Sequence, residues 1–133
     1  MNSQCVNPPE LFDSEPVGFS QIVVAQRGDH SIHMSGQVAW NAKREVIGPG
    51  DLYMQVLQSL RNIEIGLQYT DATLSNVVSL RIYIRASHIS DSASVTRALK
   101  EVFAENQPCA TWIGVPTLAQ EEFLVEIEPT IIV

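Results

Sequence analysis

The stretch Asn76-Val77-Val78-Ser79-Leu80-Arg81-Ile82-Tyr83-Ile84-Arg85 decides the fold, because its apolar residues recur every second position between two segments where they recur every third and fourth. Period two predicts a strand with Val78, Leu80, Ile82 and Ile84 on one face and Val77, Ser79, Arg81, Tyr83 and Arg85 on the other. The first face suits a core. The second is too polar for a core, yet carries more ring and aliphatic surface than open water favours. Before this strand, Tyr53, Val56, Leu57, Leu60, Ile63 and Leu67 predict a helix, with Asp51 as its N-cap just after Gly48-Pro49-Gly50. After it, Ser90 or Asp91 can cap a second helix with the stripe Val95, Ala98, Leu99, Val102 and Phe103, ending near Asn106 before Pro108.

Farther out, two more strands are predicted around Thr111 to Val115 and Phe123 to Val133, joined by a loop over 116–122. On the N-terminal side, Gln21 to Gln26 and the alternating run Ser31 to Trp40 predict a hairpin turning through Arg27-Gly28-Asp29-His30. In its second strand Ile32, Met34 and Val38 share a core face, while His33, Ser35 and Gln37 share a polar one. Pro8, Pro9 and Pro16 keep residues 1–18 out of regular structure, as an extended arm on a single domain spanning 1–133. The order hairpin, helix, strand, helix, two strands predicts an α+β domain with both helices on one face of a mixed sheet. The opposite face then lacks a cover within the chain, and oligomerisation through it is the economical solution.

Composition narrows the function. The chain has 133 residues, 8 Lys plus Arg against 15 Asp plus Glu, and a net charge of -7, which suits one acidic globular domain and argues against phosphate-driven binding of nucleic acid. Cys5 and Cys109 lie far apart with no CxxC or Cys/His cluster, so two reduced thiols and a cytoplasmic protein are expected, with no metal site. The N-terminal residues show no basic start followed by an apolar run, and no apolar stretch reaches the length of a membrane span.

The last strand carries the most informative chemistry. In Phe123-Leu124-Val125-Glu126-Ile127-Glu128 the two carboxylates point away from the helices, about 7 Å apart along the strand. Buried between subunits, such a carboxylate would hold its proton more tightly and could orient or protonate a ligand or water; facing solvent, it is an ordinary strand charge. Gly36, inside Met34-Ser35-Gly36-Gln37, marks either close approach of a ligand or a bulge. Ser35 has no GxSxG context and His30, His33 and His88 have no spacing that identifies a base or a metal set, so a nucleophilic triad is not expected. No Walker A or GxGxxG motif calls for a nucleotide, and no cofactor is expected. Cys109 reads as inert and buried, and Trp40 and Trp112 as packing residues.

Taken together, Gly18-Phe19-Ser20-Gln21, Ser35-Gly36-Gln37, Gln58-Ser59-Leu60-Arg61-Asn62-Ile63, Ile82-Tyr83-Ile84-Arg85, the Pro108 segment and Val125-Glu126-Ile127-Glu128 resemble the RidA/YjgF family, in the same order, over roughly residues 7–133. The resemblance implies a chorismate-mutase-like fold and a homotrimer whose helix-free sheet faces form a central barrel, with three clefts between subunits. For active members it also implies a cofactor-free deaminase that hydrolyses enamine and imine intermediates to a 2-oxo acid and ammonia, gripping the substrate carboxylate with an arginine in a Pro-Ala-Arg-Ser segment.

Here that segment reads Pro108-Cys109-Ala110-Thr111, and no Lys or Arg follows Lys100. A methyl group cannot replace a bidentate guanidinium, so small imino acids should lose most of their affinity. The family's cleft tyrosine corresponds to Phe19, which keeps the ring without the hydroxyl. By resemblance Glu126 is the catalytic residue, orienting water or moving a proton. Ser35, the Gly36 backbone, Phe19, Ala110 and Thr111 line a less polar substrate pocket for an uncharged or larger ligand such as a carbonyl or enamine compound. The rival reading is a non-catalytic module that binds a small ligand in the same clefts; Arg81, Arg85 or Arg27 placed beside Ala110 would favour the altered enzyme, Arg85 first. RNA cleavage, attached to some members of the family, conflicts with the acidic balance.

Overall fold

Asp51 accepts the Met54 N–H at 3.0 Å and starts helix α1, Leu52–Leu67. Asp91, the second of the two cap candidates, does the same for Ser94 at 3.3 Å and starts helix α2, Ser92–Phe103. These contacts belong to a computed structural model that describes residues 3–20, 22–26, 28 and 30–133. The strands are β1 Ser3–Val6, β2 Ile22–Ala25, β3 Ser31–Ile32, β4 Val77–Arg85, β5 Cys109–Val115 and β6 Val125–Ile132. A four-stranded mixed sheet has the order β3-β6-β4-β5, in which β4 and β5 run parallel and the other pairs antiparallel. The parallel pair needs a long crossover, which α2 supplies.

Both helices bury their stripes on the same sheet face. Val56, Leu60 and Ile63 of α1 and Val95, Ala98 and Leu99 of α2 join Leu80, Ile82, Ile84, Val125 and Ile127 in one core. Each of these Val, Leu and Ile side chains contributes roughly 1.5–3 kcal/mol by leaving water. The opposite face carries Arg81, Tyr83, Glu126 and Glu128, none of them buried, so the α+β layout with one uncovered sheet face is as the alternation predicts. Among the described residues no helix is long and apolar enough to cross a membrane.

Several local expectations are corrected. The predicted hairpin does not form: β2 pairs with β1, Cys5 opposite Val23, while β3 pairs with Ile131 and Ile132 of β6. The terminal residues Ser3–Val6 supply β2 with a partner, so residues 1–18 are not wholly irregular; a short 3₁₀ turn also spans Glu15–Val17. Gln21, Arg27 and Asp29, parts of the predicted strand and turn, lie outside the described residues. The run 31–40 is not one continuous strand, since beyond β3 it makes isolated bridges at Gln37 with Ile127 and Trp40 with Val46, and Ala39 rather than Val38 is the fully buried residue after Gly36. In β4 the register slips between Val77 and Ser79, so Val77 enters the core in place of Val78.

Candidate functional site

The peptide of Gln37 anchors the segment that carries Ser35 and Gly36. Its N–H donates to Ile127 O at 2.8 Å and its carbonyl accepts the Ile127 N–H at 2.9 Å, so the segment runs along the edge of β6 away from β4 and Gly36 comes beside Glu126. A Cβ on Gly36 would meet the Glu126 carboxylate, 3.0 Å from Cδ, which is the close approach that glycine inside a strand permits. Asn62 of α1 fixes the same segment from the other side, donating to Val38 O at 3.0 Å and Trp40 O at 2.9 Å while its Oδ1 accepts from Gln58 Nε2 at 2.8 Å. Trp40 packs edge-on against Phe123 at 4.9 Å. Between these parts runs an open groove of about 750 Å³, lined by Met34, Gly36, Val38, Trp40, Asn62 and Glu126 among others.

Phe19, Ala110 and Thr111 stand elsewhere. Ala110 faces the helix side of β5 in register with Leu80, whereas Thr111 faces the open side in register with Arg81. Phe19 lies edge-on to Trp112 at 6.4 Å and to Phe12 at 5.8 Å. The Trp112 indole N–H is buried with no acceptor among the described residues. Ser14 shapes the approach to Phe19 by donating to its carbonyl at 2.7 Å, and Ser20 N–H donates to Pro108 O at 2.9 Å, which ties Phe19 to the start of β5. Strand β4 lies between β5 and Glu126, which is in register with Tyr83. One chain therefore brings Gly36 and Glu126 together, leaves Ser35 exposed beside them, and holds Phe19, Ala110 and Thr111 apart.

Two of the three arginines named as replacements are engaged elsewhere within the chain. Arg81 pairs with Glu128 on the open face at 3.1 Å, and Arg85, at the far end of β5 beside Val115, donates to the Glu121 carbonyl and lies 3.7 Å from its carboxylate. Arg27 lies outside the described residues. His30 pairs with Asp71 at 3.0 Å, and that hydrogen bond holds the Asp71 carboxyl below the usual range. His33 contacts Ser31 at 3.0 Å. Among the described residues no three His, Cys, Asp or Glu side chains cluster as metal ligands. Sequence reasoning missed Asn62 as a site residue; its signal was an amide four positions after Gln58 on a half-buried helix face.

Comparison with known proteins places this arrangement among relatives. The sequence matches the family model described as endoribonuclease L-PSP over residues 13–133. A 2-iminobutanoate/2-iminopropanoate deaminase from Dermatophagoides farinae is 28% identical over 120 residues, covering 90% of this chain and 89% of the other. Among solved structures, YyfB of Yersinia pestis, a protein of unknown function of the conserved Rid family, is 36% identical with a TM-score of 0.91 and covers 100% of both chains. A member of the YjgF/YER057c/UK114 family from Mycobacterium tuberculosis is 27% identical with a TM-score of 0.66, covering 99% of this chain and 100% of its own.

Proposed function

The chain belongs to the endoribonuclease L-PSP family, the RidA/YjgF family of its relatives, and on that premise we propose that it is a homotrimer whose clefts between subunits hydrolyse enamine-type or related carbonyl compounds. The observation that carries this reading is the Glu126 carboxylate resting over Gly36 at the groove, where it can orient an attacking water or pass a proton. Ser35 would supply a ligand hydrogen bond beside it. Thr111, on the open side of β5 with β4 between it and Glu126, fits a site completed by the neighbouring subunit. The deaminase name of the mite relative supports hydrolysis of a C=N bond as the reaction type. Ala110 argues against a small imino acid as the natural substrate.

A second reading, a non-catalytic small-ligand module on the same scaffold, draws its support from Arg81 and Arg85, whose guanidinium groups are held by Glu128 and Glu121 rather than beside Ala110. The family model's description names RNA cleavage, against which the net charge of -7 argues; a mobility shift surviving roughly physiological salt would overturn that objection. The deciding assay supplies enamines freshly made from serine or threonine by a dehydratase and follows ammonia and 2-oxo acid with the natural protein and Ala110→Arg. Turnover by the natural protein means another group replaces the arginine. Silence that Ala110→Arg repairs supports a competent Glu126 tuned to another ligand, and silence from both favours the binding module.

A further inference from the structure

The groove beside Glu126 has a one-sided charge. Among the described residues that line it, Glu126 is the only charged side chain, with no Lys, Arg or His to balance it. Two of its amides are committed within the chain: both Asn62 amide hydrogens go to Val38 O and Trp40 O, and Asn41 Oδ1 accepts the N–H groups of Lys43 and Glu45. Arg44 lies over the Trp40 ring at 5.8 Å and does not line the groove. A neighbouring subunit that brings Thr111 and its strand β5 to the cleft adds no cation, since no Lys, Arg or His follows Lys100. Much of the remaining wall is apolar and open. Met34 lies over Gly66 of α1, where a Cβ would meet its Cε at 2.7 Å, so the glycine makes room for the thioether. Ile65 is 44% exposed and Tyr69, just past the helix, is 89% exposed, which leaves both side chains uncovered at the groove. Aromatic ring faces such as those of Tyr69 and Trp40 attract a cation within about 6 Å.

Resting on the hydrolytic reading above, we infer that this groove selects an organic cation: an imine protonated on nitrogen that carries an alkyl or aryl group and no carboxylate. The iminium nitrogen lies against Glu126, and the alkyl or aryl group lies along Met34, Ile65 and Tyr69. A carboxylate brought to the same place meets a like charge and a wall whose Asn62 hydrogens are already given away. In the reaction, a water oxygen adds to the iminium carbon while Glu126 takes one of the water protons, giving a neutral carbinolamine. Glu126 returns that proton to nitrogen, and ammonia leaves with the C–N electron pair. The hydroxyl oxygen becomes the carbonyl, and its proton passes through Glu126 to ammonia. One iminium and one water thus give one aldehyde or ketone and one ammonium ion. Dehydrogenation of a primary amine is the class of reaction that supplies such an imine.

The test titrates the full chain in its native assembly with 2-phenylethylamine, 2-phenylethanol and phenylacetate, by calorimetry near neutral pH. The amine should bind at least about tenfold more tightly than the alcohol, and phenylacetate most weakly. Glu126→Gln should bring the amine down to the level of the alcohol and leave the alcohol unchanged, which also shows that the variant folds. Tyr69→Ala, at an exposed position, should weaken amine and alcohol together. A second arm follows benzophenone imine, which has two aryl groups and no carboxylate, to benzophenone and ammonia. The protein should speed this hydrolysis at least about tenfold over buffer, and Glu126→Gln should lose the gain. Amine binding that is absent, no tighter than that of phenylacetate, or undiminished in Glu126→Gln overturns the inference. Selective amine binding without imine turnover upholds the selection of a cation and overturns the hydrolytic reading instead.

Discussion

Glu126 folds its carboxylate over the Cα of Gly36, so that a methyl group there would stand 3.0 Å from Cδ and 3.1 Å from Cγ of the glutamate. The obstructing atoms are the end of a flexible side chain, and Gly36 has no positive φ. Gly36→Ala therefore displaces the carboxylate and spares the fold. The expected outcome is a Tm within about 3 °C of the parent and at least a roughly tenfold loss of turnover, measured in whichever of the natural and Ala110→Arg backgrounds hydrolyses the enamine. Unchanged turnover would remove Glu126 from the reaction.

Gln55 is the buried polar residue on which the loop ahead of β6 depends. Its amide donates to Gly48 O at 3.2 Å and Glu122 O at 3.0 Å, and its oxygen accepts the Leu124 N–H at 2.9 Å. Gln55→Met keeps the volume but strands three backbone groups, a cost of about 3 kcal/mol that lowers Tm by roughly 10 °C. Thermal melts would show this, and a variant as stable as the parent would mean that water replaces the amide.

The helices, β4 and β6 were legible because each carries a periodic run long enough to show its face, and because Asp51 and Asp91 mark where the helices begin. Partner choice was not legible. Residues 22–25 read correctly as a strand, but whether they pair with 31–32 or with 3–6 is a long-range competition that local pattern does not encode. The slip that exchanges Val77 for Val78 was equally hidden, since both are valines. At the site, Gly36 and Glu126 were each singled out by their own strand pattern and meet in space. Ala110 and Thr111, adjacent in the chain, face opposite sides of β5, so one sequence motif contributes to two surfaces.

The open sheet face gives a prediction about assembly. Tyr83 sits half-buried on it, in register with Glu126 on one side and Ile113 on the other. If this face packs in a barrel, Tyr83→Glu adds a desolvated charge beside an existing carboxylate and should convert the trimer to monomer. Light scattering at micromolar concentration is expected to give three times the chain mass for the natural protein and one chain mass for the variant. A natural protein that stays monomeric would sink both the barrel and the cleft between subunits.

Alkaline stability should report on Cys109. Burial pushes its thiol pKa up, against the lowering effect of the Val23 N–H, and a charge on Cys5 pushes it up further. A raised folded-state pKa means the folded chain keeps the proton that the unfolded chain releases. This contribution to stability is therefore complete below the ordinary thiol pKa and is lost as pH rises through the folded value. Under reducing conditions Tm should fall with pH across that alkaline window, and Cys109→Ala should flatten the fall. Tyr53 adds a slope of the same sign at higher pH, because its hydroxyl donates to Glu101 at 2.6 Å and its pKa is raised chiefly by that bond. Tyr53→Phe should remove only this later part. If Cys109→Ala leaves the earlier part unchanged, burial of the thiol is not what holds its proton.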